Sequence, residues 1–158
     1  MKSSSLSEIK AELTQIDKST LVAICVRLAK FRKENKELVS YLLFEAQDPE
    51  KFLEEVKQEI WGMFQEINMS SVYFIKKSIR KILRTANRYV RFAAEKTFEA
   101  EILIYFCNCI LEFKIPLQKS NTLNNLYLSQ RKKIGQALET LHPDLQYDLN
   151  RQLKSHPE

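Results

Sequence analysis

Apolar residues recur at three- and four-residue intervals through most of the chain, with polar and charged residues between them, and this period predicts helices rather than strands. Only two glycines and four prolines punctuate it, too few for the frequent turns of a strand-rich fold. The pattern opens at Ser5-Leu6-Ser7-Glu8, a capping box that predicts a short helix from Leu6 to Ile16 with Ile9, Leu13 and Ile16 inward. Asp17 and Ser19 offer the next N-cap, and Leu21, Ile24, Leu28, Phe31, Asn35, Leu38 and Leu42 follow as one long seam. That seam has two readings: a bundle helix packed within its own chain, or a homodimer stripe in which Asn35 sets the register.

Gln47-Asp48-Pro49-Glu50 is the clearest helix start, with Asp48 as N-cap and Pro49 where its missing N–H costs nothing. The helix it opens runs to Ile67, apolar at Leu53, Val56, Ile60, Met63, Phe64 and Ile67, with Glu50, Glu54, Glu55, Glu59 and Glu66 outward. A polar hinge at 68–71 leads into a second amphipathic segment, Ser71 to Phe92, in which Thr85-Ala86-Asn87 is a candidate break. The next stretch, Ala93 to Phe113, is apolar nearly all round in its second half and predicts a helix surrounded by others. Ser120 or Asn121 caps a helix reaching Leu141, and His142-Pro143-Asp144 starts a last one with Leu145, Leu149 and Leu153 inward. The fold expected is all-α, a single-domain bundle of about six to seven helices in successive antiparallel hairpins, with a solenoid-like stack as its open variant. It spans residues 1–158, with 1–5 and 155–158 expected to fray.

Charge changes this picture at one place. Lys76, Lys77, Arg80, Lys81, Arg84, Arg88 and Arg91 all fall between Ser71 and Phe92, a segment without an acidic residue, so the net charge of +5 comes from this element alone. At 100° per residue these cations span an arc of roughly 140°, opposite an apolar arc of Val72, Ile75, Ile79, Ile82, Leu83, Ala86 and Val90. If the acidic and basic helices form a hairpin, facing numbers sum to roughly 139. Glu59 then lies near Arg80, Glu55 near Arg84 and Glu50 near Arg88 or Tyr89, while Lys76, Lys77 and Lys81 lack acidic partners.

Catalytic and metal signatures are absent from the pattern. The chain has two histidines and three cysteines, Cys25, Cys107 and Cys109, without the spacing of a zinc site, and reduced core thiols are the expectation. Glu139-Thr140-Leu141-His142 matches half of a di-iron motif once, where such sites need two, so His142 reads as a helix-end residue. No glycine-rich stretch offers a phosphate cradle, and no nucleophile elbow is present. Neither a secretory signal nor a membrane span is expected: the most apolar run, Ile102 to Leu111, is about half the needed length and contains Asn108.

From Ile75 onward the chain resembles a family of small all-helical bacterial proteins with no assigned activity. The resemblance is carried by Asn87-Arg88-Tyr89-Val90-Arg91-Phe92, by Glu99 and Glu101 ahead of Tyr105-Phe106-Cys107, and by Leu141-His142-Pro143-Asp144-Leu145-Gln146-Tyr147-Asp148. It implies an intracellular helical domain and no substrate; Pro143 departs from the family pattern.

The functional expectation is a non-enzymatic cytoplasmic binding or scaffold module for a protein partner, without cofactor or metal. The alternative is nucleic-acid binding through the basic helix at 71–92, with Tyr73, Tyr89 or Phe92 stacking on bases. Docking on a membrane is disfavoured, because the apolar side of the basic helix is consumed by the core. Either a monomer or a homodimer fits.

Overall fold

The computed structural model describes residues 3–154, and among them the chain forms eight α-helices, one π-helical turn and one 3₁₀ turn, with no strand. Of the ends expected to fray, 1–5 and 155–158, residues 1–2 and 155–158 lie outside the described residues, and Ser5 is held as the N-cap of the first helix. No helix among those described is long and apolar enough to cross a membrane. The chain divides after Gln47 into two compact units.

The first unit contains α1 (Leu6–Gln15), α2 (Lys18–Phe31), α3 (Lys33–Ser40) and the π turn Tyr41–Glu45. The capping box is present: the Glu8 N–H donates to Ser5 Oγ at 3.3 Å, and the Ser5 N–H donates to Glu8 Oε2 at 2.8 Å. The Thr20 N–H donates to Asp17 Oδ1 at 3.0 Å and caps α2. The long seam does not form one helix. Arg32 is extended (φ −144°, ψ 149°), so the chain reverses there and α3 pairs with α2. Asn35, read as a register residue, instead donates from Nδ2 to the Leu28 carbonyl at 2.9 Å, satisfying one of the carbonyls left open where α2 ends.

Little of this unit is buried. Tyr41, at 8% exposure, is the only buried side chain among its described residues. Ile9, Leu21, Val22, Ile24, Val26, Leu28 and Phe31 are all exposed, and so is Cys25, which corrects the expectation of a core thiol there.

The second unit contains α4 (Pro49–Gln65), α5 (Val72–Ala93), α6 (Lys96–Glu112), the 3₁₀ turn Leu117–Lys119, α7 (Asn121–Leu138) and α8 (Pro143–Gln152). The caps expected at Asp48 and Ser120 are present, and Ser71, read as part of a hinge, caps α5 as well. The Lys51 N–H donates to Asp48 Oδ1 at 3.1 Å, the Phe74 N–H to Ser71 Oγ at 3.3 Å and the Leu123 N–H to Ser120 Oγ at 3.4 Å. His142 does not end α7, which stops at Leu138; it caps the start of α8, its Nδ1 accepting from the Asp144 N–H at 3.3 Å.

The α6 helix is the hub, packing against α4, α5, α7 and α8, as its all-round apolar character predicts. Ile102, Leu103, Ile104, Phe106 and Ile110 are each at most 1% exposed, and burying side chains of this size contributes about 1.5–3 kcal/mol apiece. Aromatic rings line the α4–α6 seam. Phe52 stacks on Phe98 at 5.4 Å between centroids, Phe64 meets Phe106 at 5.7 Å, and Trp61 meets Phe113 edge-on at 4.8 Å. Cys107 and Cys109 are buried and reduced, and burial pushes both thiols up to about 12.

Candidate functional site: the cationic face of α5

The α5 helix runs unbroken for 22 residues, through the candidate break at Thr85-Ala86-Asn87. Ile75, Ile79, Ile82 and Ala86 hold one helical phase and are at most 2% exposed, which carries the helix through Thr85 and Ala86 without a break. The helix ends instead at Ala94, whose left-handed backbone (φ 51°, ψ 34°) closes it with an N–H bond to the Val90 carbonyl.

With the isoleucines inward, the cations point away from the core, and this direction decides their partners. The α4–α5 hairpin forms, but among the described residues neither Arg80 nor Arg84 makes its expected ion pair across it. Glu55 pairs with Lys51 at 3.6 Å, and Glu54 with Lys57 at 2.9 Å, so both acids are engaged by lysines of their own helix. Glu59, expected beside Arg80, accepts from the Tyr89 hydroxyl at 2.5 Å. Among the described residues Lys76, Lys77, Arg80, Lys81, Arg84 and Arg91 form no ion pair.

The seven cations are not equivalent. Lys76, Lys77, Arg80 and Arg84 line one open concavity of about 590 Å³ together with Tyr73, Leu83 and Asn87. Lys81 and Arg91 are exposed outside it. Arg88 turns onto Tyr89, its Nη2 donating to the hydroxyl at 3.3 Å and its guanidinium lying 5.0 Å from the ring centroid.

The aromatic residues divide in the same way. Tyr89 packs edge-on against Phe52 at 5.7 Å and Phe92 at 6.1 Å, and burial, followed by the bond to Glu59, raises its hydroxyl above the ordinary value of 10.0. Both rings are therefore engaged in packing. Tyr73 also meets a neighbouring ring, Phe74, edge-on at 5.5 Å, but it is 66% exposed and lines the concavity, which Tyr89 and Phe92 do not.

Asn87, read from sequence as a helix end, and Leu83, read as core, also line the concavity. Their signal was the spacing 73, 76, 77, 80, 83, 84, 87, which places all seven on one helical stripe. A second, smaller run of basic residues, Arg131-Lys132-Lys133 on α7, is partly committed, since Arg131 Nη1 donates to the Tyr127 hydroxyl at 3.2 Å and to the Lys154 carbonyl at 3.1 Å. No group of three potential metal ligands occurs among the described residues.

Comparison with known proteins finds no matching family model, no matching curated protein and no matching solved structure.

Proposed function

We propose that this chain is a non-enzymatic binding module that holds an acidic segment of a protein partner along the outward face of α5. The observation that carries the reading is that Lys76, Lys77, Arg80 and Arg84 share one concavity and none of them has an intramolecular ion pair among the described residues. Like charges on one stripe repel, and an incoming carboxylate relieves that repulsion while gaining charge-assisted hydrogen bonds. The two arginines offer planar forks suited to carboxylates, and the two lysines add mobile point charges. Leu83 and Tyr73 give the same concavity an apolar floor and rim, which suits side chains flanking an acidic run.

A second reading is favoured by Tyr73 specifically. An exposed ring beside lysines also suits single-stranded nucleic acid, with a base stacked on the ring and phosphates on the cations. Fluorescence anisotropy separates the two. A labelled peptide rich in Asp and Glu and a labelled single-stranded oligonucleotide are titrated with the wild type and with the Lys77→Glu, Arg80→Glu, Arg84→Glu variant at low salt. The first reading predicts tighter binding of the peptide, abolished by the reversal; tighter oligonucleotide binding that weakens on Tyr73→Ala supports the second. Binding of neither probe at micromolar protein removes both.

A further inference from the structure

Independently of the ridge on α5, the unit ending at Gln47 exposes an apolar groove. It lies between α2 and α3, has a volume of about 560 Å³ and is lined by Leu21, Val22, Cys25, Val26, Val39 and Leu43. Lys30 and Lys36 stand on its rim, and neither has an ion pair among the described residues. Val22 is 52% exposed and Val26 46%, so the groove meets water where a folded chain ordinarily buries such side chains.

The same unit carries a second uncovered apolar surface, of opposite charge. On α1, Leu6, Ile9 and Leu13 fall within an arc of roughly 60° at 100° per residue, with Ile16 following as the extended C-cap, and α1 buries none of its residues. Glu8 and Glu12 follow one edge of that stripe, at roughly 200° and 240° when Leu6 is zero. A helix of ten residues is marginal in water without tertiary cover. Its length, about 15 Å, matches the run of α2 from Leu21 to Ala29, about 12 Å. The main helix pairing within the unit is α2 with α3, and α1 has no comparable partner.

We propose that two copies of this chain exchange their α1 helices, each lying in the α2–α3 groove of the other with Glu8 and Glu12 toward Lys30 and Lys36. The arrangement is two-fold and closed: each copy gives one helix and receives one. It covers both apolar surfaces at once, which an unrelated helix in the groove would not do, since α1 would stay exposed. The acids on α1 and the lysines on the groove rim give the pair its charge complementarity.

Sedimentation equilibrium of the full chain tests it. The mass should rise from 18.6 kDa toward twice that value between about 1 and about 200 µM protein. Val26→Asp in the groove and Ile9→Asp on α1 should each weaken association by about tenfold or more. Glu12→Lys and Lys36→Glu should each weaken it as well, and the double variant should recover it, a rescue that loss of folding would not produce. Circular dichroism confirms that each variant keeps its helices. Ile9→Cys adds an independent readout: oxidised, it should form a disulfide with Cys25 of the second copy and give a dimer band on a non-reducing gel. A monomer at every concentration overturns the proposal. So does a dimer indifferent to all four substitutions, or an Ile9→Cys disulfide that closes only within one chain.

Discussion

Asn108 gives the most direct test of how the second unit is closed. It sits on α6, and both ends of its amide hold the end of α8: Nδ2 donates to the Gln152 carbonyl at 2.7 Å, and Oδ1 accepts from the Lys154 N–H at 2.9 Å. Asn108→Ala removes both bonds. At about 1 kcal/mol net for each neutral hydrogen bond the loss is about 2 kcal/mol, and partial exposure of the site lets water reach the freed backbone groups and keeps the cost from rising further. For a unit of this size that is a fall in Tm of about 5–10 °C. The Arg131 bond to the Lys154 carbonyl, at 3.1 Å, and the Lys154–Glu112 pair, at 2.9 Å, survive the substitution, so α8 should loosen rather than leave. Thermal melts measure the total, and amide hydrogen exchange locates it: exchange should accelerate in α8 and stay close to wild type in α6. An unchanged Tm with unchanged exchange in α8 would refute the reasoning.

Three further outcomes follow from the packing. Burial pushes Cys107 and Cys109 from the ordinary 9.0 to about 12 and Tyr105 from 10.0 to about 12, so the folded chain keeps protons that the unfolded chain releases. Stability should therefore hold level below about pH 9 and decline as pH rises toward about 12, and a urea midpoint that does not fall over that window contradicts the burial of these groups. At about 1 µM protein, where the chain should be monomeric and the α2–α3 groove open, a thiol reagent at neutral pH should label Cys25 rapidly and reach Cys107 and Cys109 only after denaturant is added; mass spectrometry counts the adducts. Gly62 on α4 and Gly135 on α7 lie within helices with nothing within 4 Å of an added Cβ, so Gly62→Ala and Gly135→Ala should each stabilise by about 0.5–1 kcal/mol in urea melts.

The helices were legible where local chemistry marks them. Ser5, Asp17, Asp48 and Ser120 announce their caps because each side chain bonds an N–H three residues on, a relation that depends on nothing distant. The central place of α6 was legible from its composition, since an all-round apolar helix has one environment it tolerates. The reversal at Arg32 was not. Phe31-Arg32-Lys33 carries neither proline nor glycine, and the three-and-four spacing of leucines runs through it, so only the pairing of α2 with α3 reveals the break. The cationic face was legible as a stripe but its partners were not. A hairpin register read from residue numbers ignores where the buried isoleucines aim the helix, and it overlooked that Lys51 and Lys57 already engage Glu55 and Glu54.

The central claim is that the concavity on α5 binds an anionic partner through Lys76, Lys77, Arg80 and Arg84. Titrating the labelled acidic peptide across a salt series, wild type against the four-site Lys→Ala and Arg→Ala variant, tests it most directly. The account predicts micromolar binding that weakens steadily as salt rises, because exposed ion pairs are screened. It also predicts that the variant loses both the affinity and the salt dependence. Equal affinity for the two proteins, or wild-type binding that salt leaves untouched, would contradict it.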